Sequence, residues 1–121
     1  MSTAVITDTR ADVQAAHLEA AALVADLDLD DRRQWLRVDR AIAELAEAAY
    51  DLAAAISHTP PRNVAAHVPP VVRISELASA QRQLFTVLDQ HPDPDPELLA
   101  WAGKQARELV ERLRHNAHPT W

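Results

Sequence analysis

The sequence predicts an all-α fold: a four-helix bundle of two helical hairpins joined by a Pro-rich linker, in one domain spanning 1–121. Three observations lead there. Alanine supplies 24 of the 121 residues while Gly, Phe and Tyr supply one each, a composition dominated by strong helix formers. Runs of Val and Ile never exceed two residues (Val5-Ile6, Val71-Val72), too short for buried strands. Four segments place apolar residues at 3-4-3-4 spacing, the mark of a narrow helical seam that favours shallow crossing angles.

The first helix is expected over about 9–27, with Asp12 three residues after Thr9 as in a capping box. Its seam is Val13, Ala16, Ala20, Leu23 and Leu27, and a second apolar stripe, Leu18, Ala22, Ala25 and Leu29, runs beside it. His17 reads as a boundary residue on this helix. The second helix, about 30–57, starts in the cluster Asp28–Asp31, where carboxylates suit the positive end of a helix dipole. Its seam (Trp35, Val38, Ile42, Leu45, Ala49, Leu52, Ile56) covers three heptads, within a helix about 40 Å long. The opposite side is a charged face that includes the i,i+4 pair Arg40–Glu44.

Residues 58–70 carry two Pro-Pro pairs, which no helix accommodates. So long a connection suits a spacer, with length for the next helix to cross to a non-adjacent position. The third helix is expected over about 71–90 with seam Ile74, Leu77, Gln81, Leu84 and Leu88. Gln81 is then a polar residue at a core position, the kind that fixes register. The segment His91–Pro96 stops that helix, and Asp95 caps the fourth, about 96–116, with Pro96 at its first position. The fourth seam is Leu99, Ala102, Ala106, Leu109 and Leu113.

Composition removes many chemistries. With no cysteine there is no disulfide framework, Cys-ligated zinc, iron–sulfur cluster or thiol nucleophile. The single glycine, Gly103, cannot build a phosphate-cradling loop. A formal charge of −6 argues against sequence-independent DNA binding. No apolar leader follows the first Met, and the longest apolar run, Ala20–Ala25, is far short of a membrane span. A soluble, cytoplasmic protein is expected, with no membrane partner. Eleven Arg against one Lys (Lys104), with so much Ala, suggests a GC-rich coding sequence of bacterial or phage origin.

Metal chemistry finds little footing. Asp26-x-Asp28-x-Asp30 opens like an EF-hand loop, but the sixth position is Asp31 where glycine is needed and the twelfth is Arg37 in place of Glu. The carboxylates Glu44, Glu47 and Asp51 on one helix, with Glu108 and Glu111 on another, resemble the magnesium-binding faces of all-α nucleotide pyrophosphohydrolases of the MazG type. The second motif of that family ends in ExxD, and its motifs lie closer in sequence. Arg40, Arg107 and Arg112 sit beside these carboxylates, as on a solvated, salt-bridged face. The six histidines (His17, His58, His67, His91, His115, His118) form no HExxH, HxH or ExxH pairing. No metal and no cofactor are expected.

Arg62-Asn63-Val64-Ala65-Ala66-His67 resembles the Arg-polar-x3-His motif of the HEPN superfamily, all-α proteins many of which are metal-independent ribonucleases in toxin or defence systems. By that resemblance Arg62 would orient the scissile phosphate of an RNA substrate and His67 would act as general acid or base, with a second subunit completing the site. Arg112-x5-His118 is a looser match. The family carries its motif at a helix start, whereas this copy lies between Pro60-Pro61 and Pro69-Pro70.

The apolar residues outside the main seams support a different reading. Leu18, Ala22, Ala25, Leu29, Tyr50, Val87, Trp101 and Trp121 lack an obvious intrachain partner, and unpartnered apolar and aromatic side chains mark contact surfaces. The sequence is therefore read as a non-enzymatic helical protein–protein interaction module (an adaptor, assembly factor or inhibitor) that self-associates into a homo-oligomer. A HEPN-like ribonuclease, or a degenerate relative of one, is the alternative.

Overall fold

A computed structural model describes residues 9–118. Four helices follow one another: α1 (Thr9–Ala25), α2 (Arg32–Ser57), α3 (Pro70–Gln90) and α4 (Pro96–Ala117). They form the four-helix bundle expected from the apolar seams, and the described residues contain no strand.

Local chemistry sets the helix ends. The Asp31 carboxylate accepts the Gln34 N–H at 3.1 Å and caps α2. Asp95 accepts the Glu97 N–H at 2.9 Å and caps α4, with Pro96 in the first turn. His58 closes α2 in the left-handed region at φ 58°, and its N–H reaches the Ala54 carbonyl. Pro70 opens α3, where its missing N–H would have had no helical partner.

Packing is heaviest between α2 and α3, followed by α1 with α4 and α2 with α4; α1 touches α3 more lightly. Around the bundle the order is thus α1, α4, α2, α3, and the helices consecutive in sequence, α1/α2 and α3/α4, lie on diagonals. The two hairpins expected from the sequence are not the packed pairs. Neighbouring helices sit 8–10 Å apart, so a diagonal is about 13 Å. Connections 26–31 and 91–95 are long enough to reach across it.

Cross-helix contacts give the directions. Arg107 pairs with Asp12 at 3.8 Å and Arg114 pairs with Glu19, so residue numbers rise together and α1 and α4 are parallel. Gln34 and Arg37, early in α2, donate to the Ala117 and Asn116 carbonyls at the end of α4, so that pair is antiparallel. Arg10, early in α1, donates to the Leu88 carbonyl late in α3 at 2.8 Å. It follows that α2 and α3 are parallel, and Arg73 meeting Asp39 near both helix starts agrees.

A parallel α2–α3 pair obliges residues 58–69 to run back along α2. From Ser57 to the level of Leu36 is 21 residues of helix, about 32 Å. Twelve residues in polyproline II conformation span about 37 Å, so the Pro-Pro pairs suit a straight return. Arg73 holds this crossover down. It is 1% exposed, and its Nε donates to Asp39 at 2.8 Å. Its terminal nitrogens donate to Glu76 at 2.6 Å and to the Ala65 and Ala66 carbonyls at 2.7 and 3.1 Å. Burial works against the Arg73 charge, yet the carboxylates of Asp39 and Glu76 outweigh it and hold the pKa above the ordinary arginine value.

Every seam residue named for α2 and α4 is buried. Gln81 is buried as expected and donates to the His17 carbonyl at 2.7 Å, joining α3 to α1. The α1 seam differs: Leu23 and Leu27 are only half-buried, while His17 and Val24 are in the core. His17 is no boundary residue; the buried row is Val13, His17, Ala20, Val24, with Ala16 beside it. Two side chains assigned to an interface, Tyr50 and Val87, are core residues. Tyr50 is drawn inside because α2 packs against α3 on one side and α4 on the other, which widens its buried stripe beyond one seam, and Val87 lies on α3, which packs most heavily on α2.

Candidate functional site

The apolar stripe expected on the first helix reaches solvent, but α1 ends at Ala25, so only Leu18, Ala22 and Ala25 stand on it and Leu29 lies in the connection that follows. Leu18 is 59% exposed, Leu29 is 38% exposed, and Ala22 and Ala25 between them are exposed as well. Toward the end of α1 the stripe enters an apolar groove of about 330 Å³ between α1 and α3, lined by Val24, Ala25, Leu27, Leu29, Ile74 and Leu77. The groove exists because α1 and α3 are the most lightly packed neighbours in the bundle. Leu29 also lines a second depression, with Leu36, Val68 and Pro69, so apolar surface continues around this end of the molecule. Leu36, Val71 and Val72 are exposed there and were missed from sequence. Leu36 hid among the arginines of the charged α2 face, and Val71-Val72 resembled the start of a buried seam.

Charges of both signs ring this end. Asp26, Asp28, Asp30 and Asp31 are exposed immediately before Arg32, Arg33, Arg37 and Arg40, which are exposed too. The acidic turn is organised by the chain itself: Asp28 accepts the Asp30 N–H at 3.0 Å, and Gln34 accepts the Asp28 N–H at 3.1 Å.

A second feature lies between α1, α2 and α4. His17 is 2% exposed and its Nδ1 makes no hydrogen bond within the protein. Burial pushes its pKa down to about 4, so the ring is neutral at pH 7. It lines a cavity of about 260 Å³ together with Asp51, Leu52, Leu98, Trp101, Ala102 and Gln105. Trp101, expected at an interface, stands at this cavity and is 61% exposed. Trp121, assigned to the same surface, lies outside the described residues.

The remaining candidates are dispersed. Arg62 and His67 both sit in the non-helical crossover, where both are exposed, and they line different depressions. The Arg62 guanidinium lies 5.7 Å from the Tyr50 ring centroid, a cation–π contact. Of the acidic face, Glu44 is held between Arg40 at 3.1 Å and Arg112 at 2.9 Å, and Glu111 pairs with Arg114. Among the described residues no group of three or more His, Asp or Glu is placed to hold a metal ion. No helix there is long and apolar enough to cross a membrane.

The chain matches no protein-family model, no curated protein and no solved structure. The surface chemistry above is thus the sole basis for a functional reading.

Proposed function

We propose that this protein is a self-associating helical interaction module whose α1 stripe and adjoining α1–α3 groove pack against a second copy of the chain. The observation that carries the reading is continuity. Leu18, Ala22 and Ala25 are exposed along α1, and Ala25 together with Leu29, in the connection after it, lines a groove of the same apolar character. A two-fold arrangement lets the Leu29 ridge of each copy enter the groove of the other, so one surface supplies both halves of the contact.

Charge supports a second copy as occupant. The acidic run Asp26–Asp31 directly precedes the basic row Arg32, Arg33, Arg37 and Arg40 on the same rim. A two-fold axis near the junction brings each run opposite its complement, which steers and registers the encounter.

The test combines Leu18→Glu with Leu29→Glu. Four charges introduced per dimer interface should convert the oligomer to monomer in light scattering, while circular dichroism keeps its helical signal. A wild-type protein that is already monomeric at high concentration would refute the proposal, as would a double variant that stays associated.

A further inference from the structure

We propose that the cavity between α1, α2 and α4 is a binding site for a small organic ammonium ion carried on a compact apolar body. Its 260 Å³ corresponds to the volume of about nine waters, room for a ligand of one ring or a short branched chain. Leu52, Leu98 and Ala102 supply apolar wall. The polar groups that converge on it are His17 from α1, Asp51 from α2 and Gln105 from α4, with the Trp101 indole beside them.

Their chemistry points one way. No Lys or Arg lines the cavity, and Asp51 is its one carboxylate, so the fixed charge is negative. An anion would meet that carboxylate with nothing to offset it. A neutral molecule of the same shape would leave the Asp51 charge without a counter-charge. An ammonium group answers each feature: charge for Asp51, a cation for the exposed Trp101 face, and N–H donors for the Gln105 carbonyl oxygen. The His17 ring forms part of the cavity wall, and its Nδ1 is fully buried with no hydrogen-bond partner within the protein. The cavity lies on the α2–α4 side of α1, away from the α1–α3 groove, so the inference stands apart from self-association.

Phenethylammonium is a suitable probe, titrated into the full chain at neutral pH and followed by calorimetry and tryptophan fluorescence. Saturable binding with a dissociation constant of about 1 mM or lower is expected. The isosteric 2-phenylethanol should bind at least about tenfold more weakly, and phenylacetate should not bind. Asp51→Asn, at an exposed position, should weaken phenethylammonium about tenfold without lowering the melting temperature, and Trp101→Leu should abolish the fluorescence response. The proposal fails if phenethylammonium does not saturate, if the alcohol binds equally well, or if Asp51→Asn leaves the affinity unchanged.

Discussion

His17 is an ionisable ring buried against α2 and α4, and its burial makes the stability of this protein depend on pH. In the native state its pKa is about 4, against 6.5 when unfolded. Between those values the unfolded chain takes up a proton that the native chain refuses. The contribution is complete above pH 6.5 and is lost as pH falls toward 4, about 3 kcal/mol in all. Urea titrations of wild type and His17→Leu at pH 7 and pH 4.5 should show a much smaller pH difference in the variant. An equal fall in both would mean that the ring is not buried as described. The sequence held a signal for this residue: Val13, His17, Ala20 and Val24 keep a 4-3-4 spacing as regular as the seam that skipped it. A polar residue is discounted in hydrophobic periodicity, and here the small Ala16 and Ala20 beside it leave room for the ring.

Gly103 gives a second residue-scale expectation. It is buried within α4, and a methyl group added there would meet Val13 Cγ2 at 3.6 Å and Asp12 Cβ at 3.8 Å, ordinary van der Waals contact. Nothing in the packing requires glycine. Gly103→Ala should raise stability by about 0.5–1 kcal/mol through reduced unfolded-state entropy and better helix propensity, read as a rise in melting temperature.

At the scale of elements, the Pro-rich crossover is the device that gives α2 and α3 the same direction. It is anchored by one guanidinium that bonds two carboxylates and two backbone carbonyls. Arg73→Ala removes the donor shared by Asp39, Glu76 and those carbonyls, leaving Glu76 only the Ala65 N–H at 3.2 Å, and should lower stability by about 3 kcal/mol. Arg73→Lys keeps the charge but loses the fork, so a smaller loss of about 1–2 kcal/mol is expected. The lysine variant should also release residues 59–68 locally, so that trypsin cleaves after the exposed Arg62 faster than in wild type while helicity is retained. Unchanged cleavage would show that the Arg73 fork is not what holds the crossover. The helices and the N-terminal caps of α2 and α4 were legible because capping and periodicity are local: Asp31, Asp95 and Pro96 act within one turn of where they stand. Arg73 was not legible, because its partners Asp39 and Ala65 become neighbours only once the chain has doubled back.

For the whole molecule, the number of helices and the composition of the core were readable, whereas the pairing was not. An apolar seam states which face of a helix is buried and says nothing about which neighbour buries it, or in which direction. Two short connections, 26–31 and 91–95, suggested hairpins, yet both cross a diagonal of the bundle. The same arrangement explains why the exposed stripe lies on α1: that helix is firmly packed only against α4, so part of its circumference stays uncovered. Of the eight residues expected at an interface, Leu18, Ala22, Ala25, Leu29 and Trp101 are exposed, Tyr50 and Val87 are consumed by the core, and Trp121 lies outside the described residues.

The parallel alignment of α1 and α4 has a mechanical consequence. The start of α1 and the finish of α4 lie at opposite poles of the bundle. Tension applied between those two points loads the α1–α4 contact in shear along its whole length, and the side-chain rows there must yield together. A bundle with both points at one pole would be peeled open one turn at a time.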